Sequence, residues 1–336
     1  MKHTASDLIQ MQSLPLTVKI QMTERRVKEW YDYWNGDVYL GFSGGKDSTV
    51  LKHIIDSMGL DIPAVFVNTG LEYPEIQSFV RDVQANKYSC FNNNVEIIRP
   101  KMRFDEVIKK YGYPVISKEI ADVIYYAKHG KKCQSTRMQR LNGEQLDKNG
   151  NRSKFNCAKW KFMLQAPFEV SARCCWIMKK SPSNAYAKQT GRKQILATMA
   201  DESRLRYQSW IHQGCNAFHA LKPTSQPISF WTEQDVLHYL KEYNVPYCSV
   251  YGDIVTEDGT ENLKTTRCTR TGCIFCMFGC HLEKEPNRFQ QLKNTHPRQY
   301  QYCINGGEYN AEGIWQPSKD GLGLGKVLDY INVKYE

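Results

Sequence analysis

A glycine-rich segment at residues 41–49 combines residue types that bind phosphate groups. It reads Gly-Phe-Ser-Gly-Gly-Lys-Asp-Ser-Thr, and it follows an apolar stretch and precedes a segment with helical spacing. A glycine turn at the start of a helix directs backbone N–H groups and the helix dipole at an anion. Lys46 can then neutralise charge that develops on a leaving pyrophosphate. We therefore predict that Lys46, Asp47 and Ser48 are catalytic. The predicted nucleotide-binding residues of this segment are Ser43, Gly44, Gly45, Lys46, Asp47, Ser48 and Thr49.

The spacing of the glycines excludes a Walker A loop. That motif has four residues between its first glycine and the Gly-Lys pair, whereas three residues separate Gly41 from Gly45 here. Asp47 also stands where the motif has a hydroxyl residue. The segment therefore needs another explanation as a phosphate-binding turn.

Two groups among the twelve cysteines have spacings that suit metal ligands. Cys174 and Cys175 are adjacent, and Cys273 and Cys276 form a Cys-x-x-Cys pair that presents two thiolates to one metal. Another interpretation is a local tetrathiolate zinc site, formed by Cys268, Cys273, Cys276 and Cys280. The spacing from Cys268 to Cys276 also matches a plant-type [2Fe–2S] pattern. A third interpretation is a set of buried free thiols.

Positive charge is concentrated in one segment of the chain. The formal net charge is +10, and residues 128–162 contain ten Lys or Arg and two Asp or Glu, a local net charge of +8. Clustered basic residues attract phosphate polymers, so this segment is a candidate nucleic-acid surface. The alternative is a solvated basic loop.

Composition limits the class of protein. The chain has 336 residues, of which 41% are hydrophobic and 24% charged, with a mean hydropathy of −0.57. These values exclude a disordered tail and a membrane protein, because no stretch approaches the roughly 18 consecutive apolar residues of a spanning helix. Residues 1–16 lack a signal-peptide core. Twelve cysteines without an export signal indicate a reducing compartment, so we expect a cytoplasmic location.

Predicted strands alternate with helices along most of the chain, which is typical of βαβ units and a parallel sheet. The predicted strands lie at residues 38–42, 64–67, 95–98 and 193–198. We predict three regions: an N-terminal helical segment at 1–35, an α/β domain at 36–250 with a basic insertion at about 130–160, and a smaller Cys-containing C-terminal lobe at 251–336.

Several motifs resemble one branch of a known family. The Ser-Gly-Gly-Lys-Asp-Ser run at residues 43–48 resembles the PP-loop of ATP pyrophosphatases, which split ATP between the α- and β-phosphates. Residues 67–75 resemble the Asp-Thr-Gly and Pro-Glu element of the phosphoadenosine phosphosulfate (PAPS) reductase branch, with Asn68 in place of Asp. Residues 111–119 are similar to its Gly-x-Pro-x-x-Ser-Lys element, and residues 200–206 to its Glu-Ser-x-x-Arg signature. The resemblance covers roughly residues 36–125 and 168–282.

This resemblance implies a doubly wound, mostly parallel, Rossmann-like α/β sheet and further site residues. The additional nucleotide-binding residues that it implies are Asn68, Thr69, Gly70 and Glu72. Those that would hold a substrate anion are Lys118, Arg204 and Arg206, which could also be ordinary surface charges. The cysteine pairs resemble the ligand set of the [4Fe–4S] cluster in adenylyl-sulfate (APS) reductases, namely Cys174, Cys175, Cys273 and Cys276. Zinc is the alternative metal, and Mg²⁺ would accompany ATP.

Two departures from sulfonucleotide reductases favour ATP as the substrate. The C-terminal Glu-Cys-Gly-Leu-His tail that carries their nucleophile has no counterpart here, and the last cysteine is Cys303. Their phosphate loop also tends to be altered, whereas residues 43–48 keep the intact run. The leading hypothesis is an enzyme that adenylates an acceptor, releases pyrophosphate and serves sulfur transfer.

Two alternatives remain open at this stage. One is APS or PAPS reduction with Cys280 or Cys303 as the nucleophile. The other is a non-catalytic ATP-binding module that recruits a sulfurtransferase. The expected partners are ATP, a nucleic acid, a sulfur donor such as a cysteine desulfurase, thioredoxin, and a second copy of the chain, with no membrane.

Overall fold

The computed structural model describes residues 3–130 and 134–336, which divide into two compact units. The first unit comprises the residues up to 68 together with 72–99 and 182–271, and the second comprises 69–71, 100–181 and 272–336. Lys131, Lys132 and Cys133, in the predicted basic insertion, lie outside the described residues.

The first unit is built on a six-stranded sheet with the strand order β3-β2-β1-β5-β7-β6. The strands are β1 (Val38–Gly41), β2 (Ala64–Val67), β3 (Val95–Ile98), β5 (Lys193–Leu196), β6 (Asn216–Ala217) and β7 (Thr224–Ser225). All neighbouring pairs are parallel except β6 with β7. The predicted mostly parallel α/β sheet is therefore confirmed.

Helices of the first unit surround this sheet and precede or follow its strands. They are α1 (Ala5–Gln12), α2 (Leu16–Tyr33), α3 (Lys46–Ser57), α4 (Pro74–Gln84), α9 (Ser181–Thr190), α10 (Arg204–Gln213) and α11 (Glu233–Glu242). A hairpin of β8 (Ile254–Thr256) and β9 (Leu263–Thr265) completes the unit. Its core contains fully buried aromatic residues such as Trp30, Trp231 and Phe230. The amphipathic spacing of α2 predicts the burial of Trp30.

The second unit consists of helices and short strand pairs. The helices are α5 (Phe104–Tyr111), α6 (Lys118–His129), α7 (Gln134–Asn142), α8 (Arg173–Cys175), α12 (Arg288–Thr295), α13 (Pro297–Ile304) and α14 (Leu324–Tyr330). The strands are β4 (Val115–Ile116), β10 (Met277–Phe278), β11 (Glu308–Tyr309) and β12 (Trp315–Gln316). A 3₁₀ helix spans Ala158–Gln165, and a π-helical turn spans Trp176–Lys180.

The boundaries of these units differ from the predicted regions for two reasons. Residues 251–271 belong to the first unit, because Tyr251 is buried there and the hairpin contacts α11. Residues 100–181 pack with 272–336 instead, because β4 pairs in parallel with β10, more than a hundred residues away in the chain. A pairing of this separation has no local sequence signal.

Within the described residues, none of the helices combines the length and the apolar character that crossing a membrane requires.

Candidate functional site

The turn between β1 and α3 is stabilised by its own serine side chains. The Ser43 and Ser48 hydroxyl oxygens lie 2.9 Å apart. The Ser48 hydroxyl also donates to the Gly45 carbonyl oxygen at 3.0 Å, and the Ser43 N–H donates to the Ser48 hydroxyl at 3.2 Å. Gly45 is the N-cap residue of α3, so the N–H groups of the first helical turn have no partner within the helix. The turn is thereby held in a form that offers amide hydrogens to an anion.

Gly44 is required for this turn by both its conformation and its surroundings. Its φ is +70°, a region that favours glycine, and a Cβ atom there would lie 2.9 Å from Val80 Cγ2 and 3.0 Å from Ile76 Cγ2. The close approach of α4 therefore leaves no room for a side chain at residue 44.

A polar cleft of about 240 Å³ opens beside this turn, entirely within the first unit. It is lined by Ser43, Gly45, Lys46, Asp47, Met199, Glu202, Arg206, Glu233, Tyr251, Thr269, Arg270 and Thr271. Because β1 lies between β2 and β5 in the sheet, the loops after β1 and β5 diverge at their carboxyl ends. Such a switch point is where open α/β sheets bind ligands.

The Lys46 side chain lines the cleft, is largely buried, and contacts two neighbouring side chains. Its ammonium lies 2.8 Å from a carboxylate oxygen of Glu233 and 5.2 Å from the centroid of the Tyr251 ring. The Tyr251 hydroxyl accepts a hydrogen bond from the Lys46 N–H at 3.3 Å and lies 2.7 Å from the Thr271 hydroxyl. Tyr251 therefore contacts both the backbone and the charge of Lys46.

Opposite charges are interleaved along the cleft. Three cations, Lys46, Arg206 and Arg270, face three carboxylates, Asp47, Glu202 and Glu233. Arg206 forms an ion pair with Glu202, and Arg270 lies 3.9 Å from the same carboxylate.

These surroundings shift two pKa values in the cleft. Burial raises the pKa of Asp47, against the opposing effect of the nearby Lys46 ammonium. Burial also lowers the pKa of Arg206, and the positive charge of Arg270 adds to this effect. The arrangement suits a highly charged ligand that brings its own cation, because it supplies partners for both signs of charge.

The sequence-predicted residues divide into those that line the cleft and those that do not. Ser43, Gly45, Lys46, Asp47 and Arg206 line it. Other predicted residues support the turn or lie elsewhere: Gly44, Ser48, Thr49, Asn68, Thr69, Gly70, Glu72, Lys118 and Arg204. Ser48 and Thr49 are buried in α3.

The remaining predicted nucleotide-binding and anion-binding residues are not among those that line the cleft. Asn68 directly follows strand β2, and its N–H donates to the Ile98 carbonyl at 2.8 Å. The next residue in the chain, Thr69, belongs to the second unit. Lys118 is an exposed residue of the second unit, and Arg204 is exposed at the start of α10. Of the predicted anion-binding residues, Arg206 is the one that lines the cleft.

Sequence reasoning missed several residues of the cleft. Glu233 is in the first turn of α11, and Tyr251 and the Thr269–Thr271 segment come still later in the chain. Glu202 does fall within the Glu-Ser-x-x-Arg signature, which could have identified it. The sequence carries no comparable signal for Tyr251, because its contact with Lys46 spans 205 residues.

Four predicted metal ligands line one small cavity in the second unit. Cys174, Cys175, Cys273 and Cys276 surround a space of about 20 Å³, together with Leu71, Phe104, Pro114, Met178 and Lys179. The Cys174 and Cys175 sulfur atoms lie 3.9 Å apart, and the Cys276 N–H donates to the Cys273 carbonyl at 3.0 Å. The fold therefore brings together two pairs that are about a hundred residues apart in sequence.

The environment of Cys175 favours its thiolate form. Hydrogen bonding from the Cys174 thiol lowers the pKa of Cys175, and the positive charges of Lys118, Lys179 and Lys180 act in the same direction. The shared hydrogen bond and burial raise the pKa of Cys174. A thiolate is the form that binds metals.

The cysteines of the rival sets are divided between the two units. Cys268 belongs to the first unit and donates to the Arg270 carbonyl at 2.8 Å, whereas Cys273, Cys276 and Cys280 belong to the second. Cys280 is buried and donates to the Met277 carbonyl at 3.0 Å. Across residues 3–130 and 134–336, no three His, Cys, Asp or Glu side chains are arranged to hold a single metal ion. That holds for the four cysteines of the second-unit cavity as well as for the zinc set.

Two cysteines that were candidate nucleophiles are buried. Cys280 and Cys303 have 1% and 0% of their surface exposed, respectively. Burial raises the pKa of Cys280 to about 12 and that of Cys303 well above its usual value. Neither side chain has the exposure or the thiolate character of a reactive cysteine.

Comparison with known proteins decides the family. Residues 37–139 and 131–278 match the phosphoadenosine phosphosulfate reductase domain. The chain belongs to this family. The predicted membership of the PAPS reductase branch is thereby confirmed, and the match includes the phosphate turn, the cleft residues and all four cysteines of the second-unit cavity.

Individual relatives of this PAPS reductase family member are distant or match over short segments. The chain is 38% identical over 90 residues to the uncharacterized protein MJ0066 of Methanocaldococcus jannaschii, which is 26% of this chain and 18% of that protein. It is 32% identical over 91 residues to the uncharacterized protein MJ0973 of the same organism, which is 26% of this chain and 21% of that protein. The matches thus span about a fifth of the length of these relatives.

A similar solved structure is the phosphoadenylyl-sulfate reductase of Candida auris in complex with phosphate. The sequence identity is 13% and the TM-score is 0.38, over 74% of this chain and 91% of that chain.

Proposed function

We propose that this PAPS reductase family member is an ATP pyrophosphatase that adenylates an acceptor oxygen and releases pyrophosphate. The observation that carries the proposal is the position of Lys46 at the N-terminus of α3, where its ammonium and the amide hydrogens of the turn face one charged cleft. A cation and a helix N-terminus at one point suit a polyphosphate better than a single carboxylate or sulfate.

The cleft residues would have different roles in this reaction. The first-turn amides of α3 would hold the β- and γ-phosphates of MgATP, and Arg206 and Arg270 would add charge-assisted hydrogen bonds. An acceptor oxygen attacks the α-phosphorus, the bond to the α–β bridging oxygen breaks, and pyrophosphate leaves with that electron pair. Lys46 stabilises the charge that develops on this leaving group, so catalysis is mainly electrostatic and positional.

The burial of Cys280 and Cys303 weighs against the alternative of APS or PAPS reduction. That reaction needs a thiolate that reaches the sulfur of the substrate, and both side chains are enclosed and have raised pKa values. Cys174, Cys175, Cys273 and Cys276 line the second-unit cavity, and thiolates of this number suit a ligand role.

We further propose that this cavity binds a [4Fe–4S] cluster through Cys174, Cys175, Cys273 and Cys276. The four cysteines line one cavity, and the cations Lys118, Lys179 and Lys180 lie near Cys175 and offset negative charge. A bound cluster would supply a redox-active, sulfur-containing group for sulfur transfer. A cysteine desulfurase as sulfur donor, thioredoxin as reductant and a second copy of the chain remain proposed partners.

The experiment that separates these functions compares three nucleotides. Protein purified without oxygen is incubated with ATP, APS or PAPS, and pyrophosphate, AMP and sulfite are measured. The proposal predicts pyrophosphate from ATP, with no sulfite from APS or PAPS in the presence of thioredoxin. Sulfite release would establish the reductase alternative. Tight ATP binding without any turnover, with and without an oligonucleotide acceptor, would instead identify a non-catalytic nucleotide-binding module.

A further inference from the structure

A short segment of the second unit alternates lysine with aromatic residues, two of which are exposed. We name it the lysine–aromatic face, formed by Lys154, Phe155, Lys159, Trp160, Lys161 and Phe162. Phe155 and Phe162 have 52% and 42% of their surface exposed, respectively, which is high for phenylalanine. Exposed apolar groups that are rimmed by polar residues mark interaction sites when they form a contiguous patch.

Two aromatic rings of this face, Trp160 and Phe162, form a stepped series with Tyr330. The ring centroids of Trp160 and Phe162 are 6.0 Å apart at an interplanar angle of 39°, and those of Phe162 and Tyr330 are 5.7 Å apart at 37°. The His281 ring meets the Trp160 ring edge-on at 5.2 Å. These tilted contacts fix the rings beside one another and leave part of each ring exposed, which is the arrangement of a stacking platform.

The segment that carries these rings contains basic residues and no acidic residue. Residues 148–162 contain five Lys or Arg and no Asp or Glu. The ammonium groups of Lys154 and Lys159 lie over the Phe155 and Trp160 rings at 5.5 and 5.1 Å. Among the described residues, none forms an ion pair with Lys154, Lys159 or Lys161. These cations can therefore turn from a ring to a phosphate without breaking a salt bridge.

Buried residues hold the face in place. Arg140 donates to the Phe155 carbonyl at 2.8 Å and pairs with Glu119, while its own side chain is buried. Met163 is fully buried within the 3₁₀ helix that carries Trp160 and Phe162. Arg140 therefore acts as a support, and exposed cations such as Lys154, Lys159 and Lys161 are the ones available to a ligand. The scaffold limits the ordering cost of binding a flexible ligand.

We propose that the lysine–aromatic face binds single-stranded nucleic acid, with bases stacked on the Phe155, Trp160 and Phe162 rings and phosphates paired with the neighbouring lysines. Alternating rings and cations match the repeat of base and phosphate in a single strand, whereas duplex bases are stacked on each other and cannot reach the rings. This inference rests on the proposed function for the role of the strand as acceptor. It adds the chemical class of that acceptor, a single-stranded nucleic acid.

The test is an equilibrium binding titration without ATP, so that the result does not depend on nucleotide turnover. The full-length protein is titrated into a fluorescein-labelled oligothymidylate of about 16 nucleotides, into a duplex of equal length, and into vesicles of phosphatidylcholine and phosphatidylserine. The variants are Phe155→Ala, Phe162→Ala, Trp160→Phe and the double variant Lys159→Gln/Lys161→Gln. The controls are Tyr243→Ala and Lys188→Ala, which alter exposed residues of the first unit.

We expect the single strand to bind more tightly than the duplex. Phe155→Ala and Phe162→Ala should each weaken this binding by roughly fivefold or more, and Trp160→Phe should retain most of it. The double lysine variant should reduce the slope of log affinity against log salt by roughly 1.4, the value for two lost single-strand phosphate contacts. Both controls should bind as the unaltered protein does.

Several results would overturn the inference. Equal affinity for duplex and single strand, with no effect of the phenylalanine variants, would show that the face binds polyanions without preference for single strands. Binding to the vesicles but not to the oligonucleotide would identify a membrane contact instead. Pyrophosphate release from ATP is measured on the same variants, so a failure of the proposed function is distinguished from a failure of this inference.

Discussion

The Lys46 ammonium lies 2.8 Å from a carboxylate oxygen of Glu233, and the two side chains differ sharply in exposure. Lys46 is 5% exposed, whereas Glu233 is 50% exposed on the solvent side of the cleft. A ligand that enters the cleft therefore meets Glu233 before it reaches the lysine. An incoming polyphosphate must displace this carboxylate from Lys46. Breaking the ion pair therefore reduces the free energy that is gained when the polyphosphate binds.

Glu233→Gln should strengthen the binding of MgATP by roughly two- to fivefold, because a partly exposed ion pair contributes up to about 1 kcal/mol. The dissociation constant is measured by isothermal titration calorimetry with a non-hydrolysable ATP analogue. Glu242→Gln, at the exposed C-terminal end of the same helix, is the matched control. Weaker binding by Glu233→Gln would mean that Glu233 holds the nucleotide's Mg²⁺ and would contradict this account.

Asp47→Asn should stabilise the protein at neutral pH but not in acid. Burial raises the pKa of Asp47 in the folded state, so the folded protein binds this proton more tightly than the unfolded chain does. The unfolding free energy of the native protein therefore falls as pH rises from about 4 through the raised pKa, and the neutral asparagine avoids this loss. Urea unfolding at about pH 4 and pH 7 measures the effect, with Asp258→Asn as an exposed control. An equal difference at both pH values would contradict the assignment.

Gly44→Ala should disrupt the phosphate turn, whereas Gly59→Ala should only strain the backbone. Both glycines have positive φ, +70° and +67°, but a Cβ at Gly44 meets Val80 and Ile76, and a Cβ at Gly59 meets nothing within 4 Å. We expect Gly59→Ala to cost about 1 kcal/mol of unfolding free energy and to leave ATP binding intact. Gly44→Ala should cost roughly 2–4 kcal/mol and abolish ATP binding. Equal effects of the two variants on binding would remove the special role of Gly44.

Cys273→Ser should remove iron from protein purified without oxygen. The unaltered protein should show a broad brown absorbance and about four iron atoms per chain. Cys90→Ser serves as the control, because Cys90 is a partly exposed cysteine outside the second-unit cavity. Stoichiometric zinc without iron in the unaltered protein would contradict the proposed cluster, as would iron retention in Cys273→Ser.

Much of the first unit could be predicted from the sequence because its signals are local. Apolar runs flanked by glycine or proline gave the strands β1, β2, β3 and β5 within two residues of their observed ends. The phosphate turn was also predictable, since strand, glycine pair and helix are contiguous in the chain. Helix α7 and the 3₁₀ turn of the basic segment were not predicted, because a polar composition without clear periodicity gives no helical signal.

The far side of the cleft depends on contacts that local patterns do not encode. Glu233 meets Lys46 across 187 residues, and Tyr251 meets it across 205. The predicted anion-binding residues show a different difficulty, since Lys118 and Arg204 suit an anion by type but are exposed residues that do not line the cleft. Arg140 likewise counted toward the basic surface but is buried as a support. Residue type indicated the chemistry, and tertiary packing selected which residues can perform it.

The most direct test of the central claim measures pyrophosphate and AMP formed from ATP by the unaltered protein and by Lys46→Ala, each with and without a single-stranded oligonucleotide. Circular dichroism first establishes that both proteins are folded. The account predicts equal amounts of pyrophosphate and AMP-derived product from the unaltered protein, and a rate lower by about 10²- to 10³-fold in Lys46→Ala. An unchanged rate in Lys46→Ala, or ADP and phosphate as products, would contradict it.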